Sequence, residues 1–217
     1  MFLLPDFHRT SAITRRSFPY VAAIALAAAF AFVRESEAAE DENLQAAGTV
    51  EEASGEAFAD MAGKRRRLER AGQVFVSDQV GTGSDSRLEL RLGANTVVRL
   101  GEKAQLTINR FLMNAGGEMT LDAGAMLFEK QAGPPAPVEV RSSFGVIAVR
   151  GTRFFAGLSN KVFGVFVAEG RVTVTSGVRR VVLRAGEGTD IGSPGARPTA
   201  PKRWGKARID AAFASVR

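Results

Sequence analysis

Between Gly48 and Ile191 the apolar residues come only in short, β-branched runs cut by Gly, Asn, Asp and Ser, which excludes a helical bundle. The runs fall at 74–76, 87–92, 96–100, 104–109, 118–121 and 125–129, then at 137–141, 146–149, 152–157, 162–167, 171–175, 178–183 and 188–191. Strict alternation in Leu88-Glu89-Leu90-Arg91-Leu92 and in Arg171-Val172-Thr173-Val174-Thr175 marks half-buried strands. A chain of such strands with frequent turn signals is an all-β domain. All 23 glycines lie beyond residue 38, where they make up about 13% of positions against an average near 7%. Glycines 72, 124, 170 and 186 each follow an apolar strand end and precede a new strand, a corner that asks for positive φ. Their unequal spacing rules out a fixed-period solenoid. The expected fold is an irregular β-roll or solenoid-like stack of short strands, with a two-sheet β-sandwich as the alternative.

Residues 133–137 (Gly-Pro-Pro-Ala-Pro) form a stiff connector inside this domain. Residues 192–202 carry Pro194, Pro198 and Pro201 and read as an extended linker. Beyond it, Ile209, Ala212, Phe213 and Val216 recur at helical spacing, so 203–217 is expected to be a short amphipathic helix.

The amino terminus has a different character. Residues 21–33 are uncharged, follow Arg15 and Arg16, and lead to Ser36-Glu37-Ala38. A basic segment, a short apolar run and small residues at −3 and −1 define an export signal, expected to be cut after Ala38. The run is too short for a permanent membrane span, which takes about 20 apolar residues. Thr14-Arg15-Arg16-Ser17-Phe18 resembles the twin-arginine export motif, with Arg15, Arg16 and Phe18 on its key positions; Pro19 and Tyr20 depart from its end. The expected division is 1–38 signal, 39–191 β-domain, 192–202 linker and 203–217 helix. Localisation is expected to be periplasmic, in a Gram-negative-type envelope.

Composition then limits the chemistry. The chain has no cysteine and only one histidine and one tyrosine, His8 and Tyr20, both inside the export segment. The exported part offers no imidazole or thiolate for a catalytic triad, a cysteine nucleophile or a zinc or copper site. No catalytic, cofactor-binding or metal-ligating residue is expected, and no cofactor. The net charge of +6 does not point to nucleic acid, because no aromatic residues interleave with the basic runs.

With the strand map drawn, a family likeness emerges. Val149-Arg150-Gly151-Thr152-Arg153-Phe154 resembles the Val-Arg-Gly-Thr-x-Phe signature of the FecR domain. Asp78-x-Val80-x-Thr82-Gly83-x-x-Ser86 is similar to that family's upstream pattern. Val167-x-Glu169-Gly170-x-Val172-x-Val174 and Leu183-x-Ala185-Gly186-Glu187 are similar to its final corners. The resemblance spans residues of about 48–191. It implies a periplasmic module that binds an envelope protein in a signalling or structural role, without enzymatic activity. Regulators of that family carry a cytoplasmic sigma-factor-binding domain and often a carboxy-terminal receptor-facing domain. Only 20 residues precede the apolar run here, so the exported module alone is expected.

Two sets of residues are candidate partner contacts. Arg150, Gly151 and Thr152 are either a recognition corner, with a guanidinium fork for a carboxylate, or a structural bend; the bend is preferred. Lys64, Arg65, Arg66 and Arg67, with Arg70, form the densest basic cluster, read as a solvated hairpin tip between 57–61 and 68–76. The same tip could serve an envelope glycan-binding or structural protein, the alternative function. Gly81-Thr82-Gly83-Ser84-Asp85-Ser86 lacks the Lys-Ser/Thr ending of a phosphate loop and is a turn. Two of Asp85, Asp122 and Glu129 would have to pair for glycoside hydrolysis; the sequence places no two of them at the required separation, and no enzyme is expected. Trp204 is either a sugar-stacking ring or the anchor of the terminal helix.

Overall fold

The computed structural model describes residues 44–112, 116–130, 137–149 and 151–217. The export segment, with Arg15, Arg16 and Phe18, lies outside the described residues, as do Arg150 and most of the 133–137 connector. Among the described residues no helix is long and apolar enough to cross a membrane.

Among the described residues eighteen strands and one helix follow in order. The first nine strands are β1 (Ala46–Ser54), β2 (Ala57–Met61), β3 (Lys64–Arg67), β4 (Gln73–Phe75), β5 (Gln79–Thr82), β6 (Arg87–Leu92), β7 (Thr96–Leu100), β8 (Gln105–Leu112) and β9 (Gly116–Ala123). The second nine are β10 (Ala125–Lys130), β11 (Val138–Ser142), β12 (Gly145–Val149), β13 (Arg153–Ser159), β14 (Val162–Glu169), β15 (Arg171–Ser176), β16 (Arg179–Arg184), β17 (Glu187–Ile191) and β18 (Lys202–Arg203). Helix α1 covers Lys206–Ala214. The strands form two nine-stranded sheets. Sheet A runs β18-β17-β14-β13-β10-β7-β6-β1-β4 and sheet B runs β16-β15-β12-β11-β9-β8-β5-β2-β3. Neighbours are antiparallel except β9 and β11, which are parallel.

The chain passes repeatedly from one sheet to the other, so it winds as a stack while its strands lie in two facing layers. The glycine corners are where it crosses: β9 to β10 at Gly124, β14 to β15 at Gly170, β16 to β17 at Gly186. Gly124 has φ +76°, and a Cβ there would lie 2.5 Å from the Ala104 Cα, so the corner excludes a side chain twice over. At the 71–72 corner the left-handed residue is Ala71, φ 66°, rather than Gly72. The ladder holds it there: the Ala71 amide donates to Val50 O and the Val50 amide to Gly72 O, each at 2.8 Å.

One apolar cluster fills the space between the sheets. Leu88, Leu90 and Leu92 of β6, Val98 and Leu100 of β7 and Phe128 of β10 meet Leu106, Met119, Val140 and Val172 of sheet B, all buried. Phe128 and Phe154 pair with ring centroids 5.2 Å apart. Each such side chain contributes about 1.5–3 kcal/mol by leaving water. A second cluster lies on the outer face of sheet A. There Leu127, Phe155 and Phe166 are covered by Trp204, Ala212 and Val216 of the carboxy-terminal segment. β13 and β14 are thus buried on both faces, which is why Phe154-Phe155-Ala156 and Val165-Phe166-Val167 do not alternate.

The basic run is a strand, not a hairpin tip. Lys64–Arg67 pairs with β2, and the turn is Ala62-Gly63. An edge strand with mostly exposed side chains needs no apolar face, so its sequence carries no strand signature.

Candidate interaction surface

The β3 arginines are largely committed to the fold. Arg66 Nη1 and Nη2 donate to the two carboxylate oxygens of Asp78, at 2.8 and 2.5 Å, and Asp78 is fully buried. Asp78 Oδ2 also accepts the Phe75 amide at 2.7 Å. The hydrogen bond to Asp78 raises the Arg66 pKa against the opposing effect of burial. Arg65 pairs with Glu56 at 2.9 Å and lies 3.5 Å over the Phe58 ring, while Arg67 faces Glu69 at 3.5 Å. These exposed pairs contribute little. The structure thus spreads Lys64, Arg65, Arg66 and Arg67 along an edge, with the three arginines each facing a carboxylate.

Of the 150–152 corner, Gly151 is exposed with φ +62° and Thr152 is buried. Thr152 O accepts the Lys130 amide at 3.0 Å. A Cβ on Gly170 would come within 2.5 Å of Gly151 O and 2.6 Å of the Thr152 Cγ2, so the two sheet crossings are stacked on each other. This packing links two segments that the sequence shows only as separate motifs.

The three candidate carboxylates are not brought together. Asp122 accepts hydrogen bonds from Thr107 at 2.8 Å and Gln79 at 3.4 Å on sheet B. Asp85 is at the β5–β6 corner, where its amide donates to Glu102. Glu129 belongs to a charge ladder on the outer face of sheet A, with Arg99 at 3.4 Å and Arg153 at 3.6 Å. Arg99 in turn pairs with Glu89 at 2.6 Å. Among the described residues no group of three or more His, Cys, Asp or Glu could hold a metal ion.

Trp204 anchors the carboxy-terminal segment. It stacks on Phe166 at 5.1 Å, meets the edge of Phe155 at 6.4 Å and is covered by the Arg208 guanidinium at 3.6 Å. Arg208 also grips Asp190 of β17 at 2.6 Å and Ser159 Oγ at 3.0 Å, and Lys202 reaches Asp190 at 2.9 Å. Burial pushes the Asp190 carboxyl up, but the hydrogen bonds from Arg208 and Lys202 outweigh it and hold it below its ordinary value near 3.8. A depressed carboxylate contributes stability that is complete above the unfolded-state value and is lost as pH falls through the lower folded value. Asp190→Asn is therefore expected to melt below the wild type at pH 7, with the gap closing below about pH 4. Melting curves of both proteins from pH 7 to pH 2 check this.

The far edge of sheet B is β16. Strand β16 exposes Arg179, Arg180, Val182 and Arg184, and Arg171 of β15 stands opposite Arg184. Beside them lies a shallow open depression of about 860 Å³, lined by Ala148, Thr173, Arg171, Arg184 and Ala185 among others. The apolar run at 178–183 already marks the strand in the sequence. That it is an edge is a property of the sheet order alone.

Residues 78–173 match the family model described as FecR protein. The match starts at the buried Asp78 and ends within β15, so the Asp78–Ser86 pattern, the Val149–Phe154 signature and most of the Gly170 corner fall inside it. β1–β4 and β16–β18 complete the same two sheets outside it. No curated protein sequence matches the chain. Two crystal structures, solved at 1.65 and 2.50 Å and described as "a putative anti-sigma factor from Parabacteroides distasonis ATCC 8503", share the fold. Their TM-scores are 0.53 and 0.52 at 16% identity, over 61% of this chain. The aligned part spans 63% and 62% of those chains, less than two thirds of their length.

Proposed function

We propose that this protein is an exported, non-enzymatic module that binds another protein of the cell envelope in a signalling role. The observation that carries this reading is the match of residues 78–173 to the FecR protein family. The fold shared with the Parabacteroides distasonis structures described as "a putative anti-sigma factor" supports it. The chemistry is compatible with recognition: the candidate carboxylates are dispersed, and exposed arginines line the β16 edge of sheet B.

Affinity capture from periplasmic extract tests the proposal. The expected result is one protein retained in stoichiometric amount and released by salt. Co-sedimentation with cell-wall material and no retained protein would favour the glycan-binding alternative instead.

A further inference from the structure

The two sheets have four edges, and one differs from the rest. β18 has two residues and β4 has three; β4 is further closed because the Phe75 amide and Gln73 O are held by Asp78 and Arg66. β3 has four residues, with its arginines turned to Glu56, Asp78 and Glu69. β16 has six residues; Glu187 closes it only at its end, at the Arg184 amide, and leaves the stretch of Arg180 and Val182 open.

The direction of its backbone follows from one contact. The Arg184 amide donates to Glu187 Oε2 at 2.8 Å, so it faces away from β15. In an antiparallel pair alternate residues turn amide and carbonyl to the same side. Arg180 and Val182 therefore present theirs to the open edge. Their side chains stand on the exposed face, while Val181 and Leu183 enter the core. Val182 is 45% exposed and Val178, just before the strand, 86%.

Charge then selects the occupant. Arg171, Arg180 and Arg184 share this exposed face, Arg179 opens the strand, and among the described residues none of the four has a salt bridge, unlike the β3 arginines. A second copy pairing edge to edge would set these arginines against each other, and like charges across a ladder repel. An acidic strand would pair with them. Resting on the proposed role as a protein-binding module, we propose that the β16 edge docks an extended acidic segment of the partner protein as an added strand. Backbone bonds to Arg180 and Val182 set its register, and its carboxylates meet the free guanidinium groups.

The test uses the full chain and a fluorescent peptide of alternating valine and glutamate, followed by anisotropy. Val182→Pro removes an outward amide and leaves the ladder to β15 intact. Affinity is expected to fall by at least about tenfold with Val182→Pro, and equally when alternate peptide amides are N-methylated. Arg180→Glu with Arg184→Glu, which touches no backbone group, gives the same loss if Val182→Pro does not fold. Lys64→Glu with Arg67→Glu is expected to change it less than about twofold. Absence of binding, binding indifferent to N-methylation, or binding that follows the β3 charges would overturn the assignment. Repeating the periplasmic capture separates the two claims. A partner held equally by wild type and Val182→Pro overturns the edge and leaves the proposed function standing. A wild type that captures nothing counts against the function, while the peptide series still decides the edge.

Discussion

Replacing Arg66 with alanine is expected to lower stability by about 3 kcal/mol, the low end of the range for stripping one partner from a buried ion pair. The reason is what stays behind. Asp78 is fully buried, and among the described residues its carboxylate without Arg66 keeps the Phe75 amide. Arg66 is itself 35% exposed, so water entering from its side eases part of the loss. For a domain of this size the melting temperature should fall by roughly 6–12 °C. Arg65, its neighbour in sequence, supplies the control. Its pair with Glu56 is exposed on both sides, and Arg65→Ala should cost less than about 1 kcal/mol. Equal effects of the two substitutions in thermal melts would mean that the buried pair does not hold the β3–β4 end of the sheets together.

The second large effect is expected at the carboxy-terminal anchor. Trp204→Ala removes an indole that fills the space over Phe155, Phe166 and two glycines, and should cost about 3–5 kcal/mol. Helix α1 has nine residues, follows Gly205 at its N-cap without a side-chain hydrogen bond, and is too short to persist without that packing. Gly188→Val attacks the same contact from the sheet. A Cβ at position 188 would sit 2.6 Å from the Trp204 Cε2, and one at Gly164 2.8 Å from its Cη2, so the indole must leave its place. Trp204 is the only tryptophan, so its fluorescence reports this site alone. Gly188→Val should shift the emission to the red and open Lys202 and Arg203 to trypsin. Unchanged emission would show that the indole does not depend on the two glycines.

Much of this architecture is legible in the sequence because each layer imposes a pattern. Leu88-Glu89-Leu90-Arg91-Leu92 alternates because β6 has one buried face, and the glycines at 124, 170 and 186 mark corners held at positive φ. What escapes is whatever depends on neighbours distant along the chain. Lys64–Arg67 reads as a loop because an edge strand needs no apolar face. Ala71 takes the left-handed corner position beside Gly72 because the β1 ladder holds it there. The arginines of β16 look no different in sequence from those of β3; only the sheet order gives one set carboxylate partners and leaves the other at an open edge. For Arg150-Gly151-Thr152 the sequence favours a structural bend over a recognition corner, and Gly151 and Thr152 pack against the Gly170 crossing.

The most direct measurement is in-cell crosslinking with a photoreactive amino acid placed in the full chain at position 182 or at position 65. A protein adduct from position 182, with none from position 65, is the expected result. An adduct from position 65 alone, or carbohydrate as the only material captured at either position, would contradict a module that engages a protein through the β16 edge.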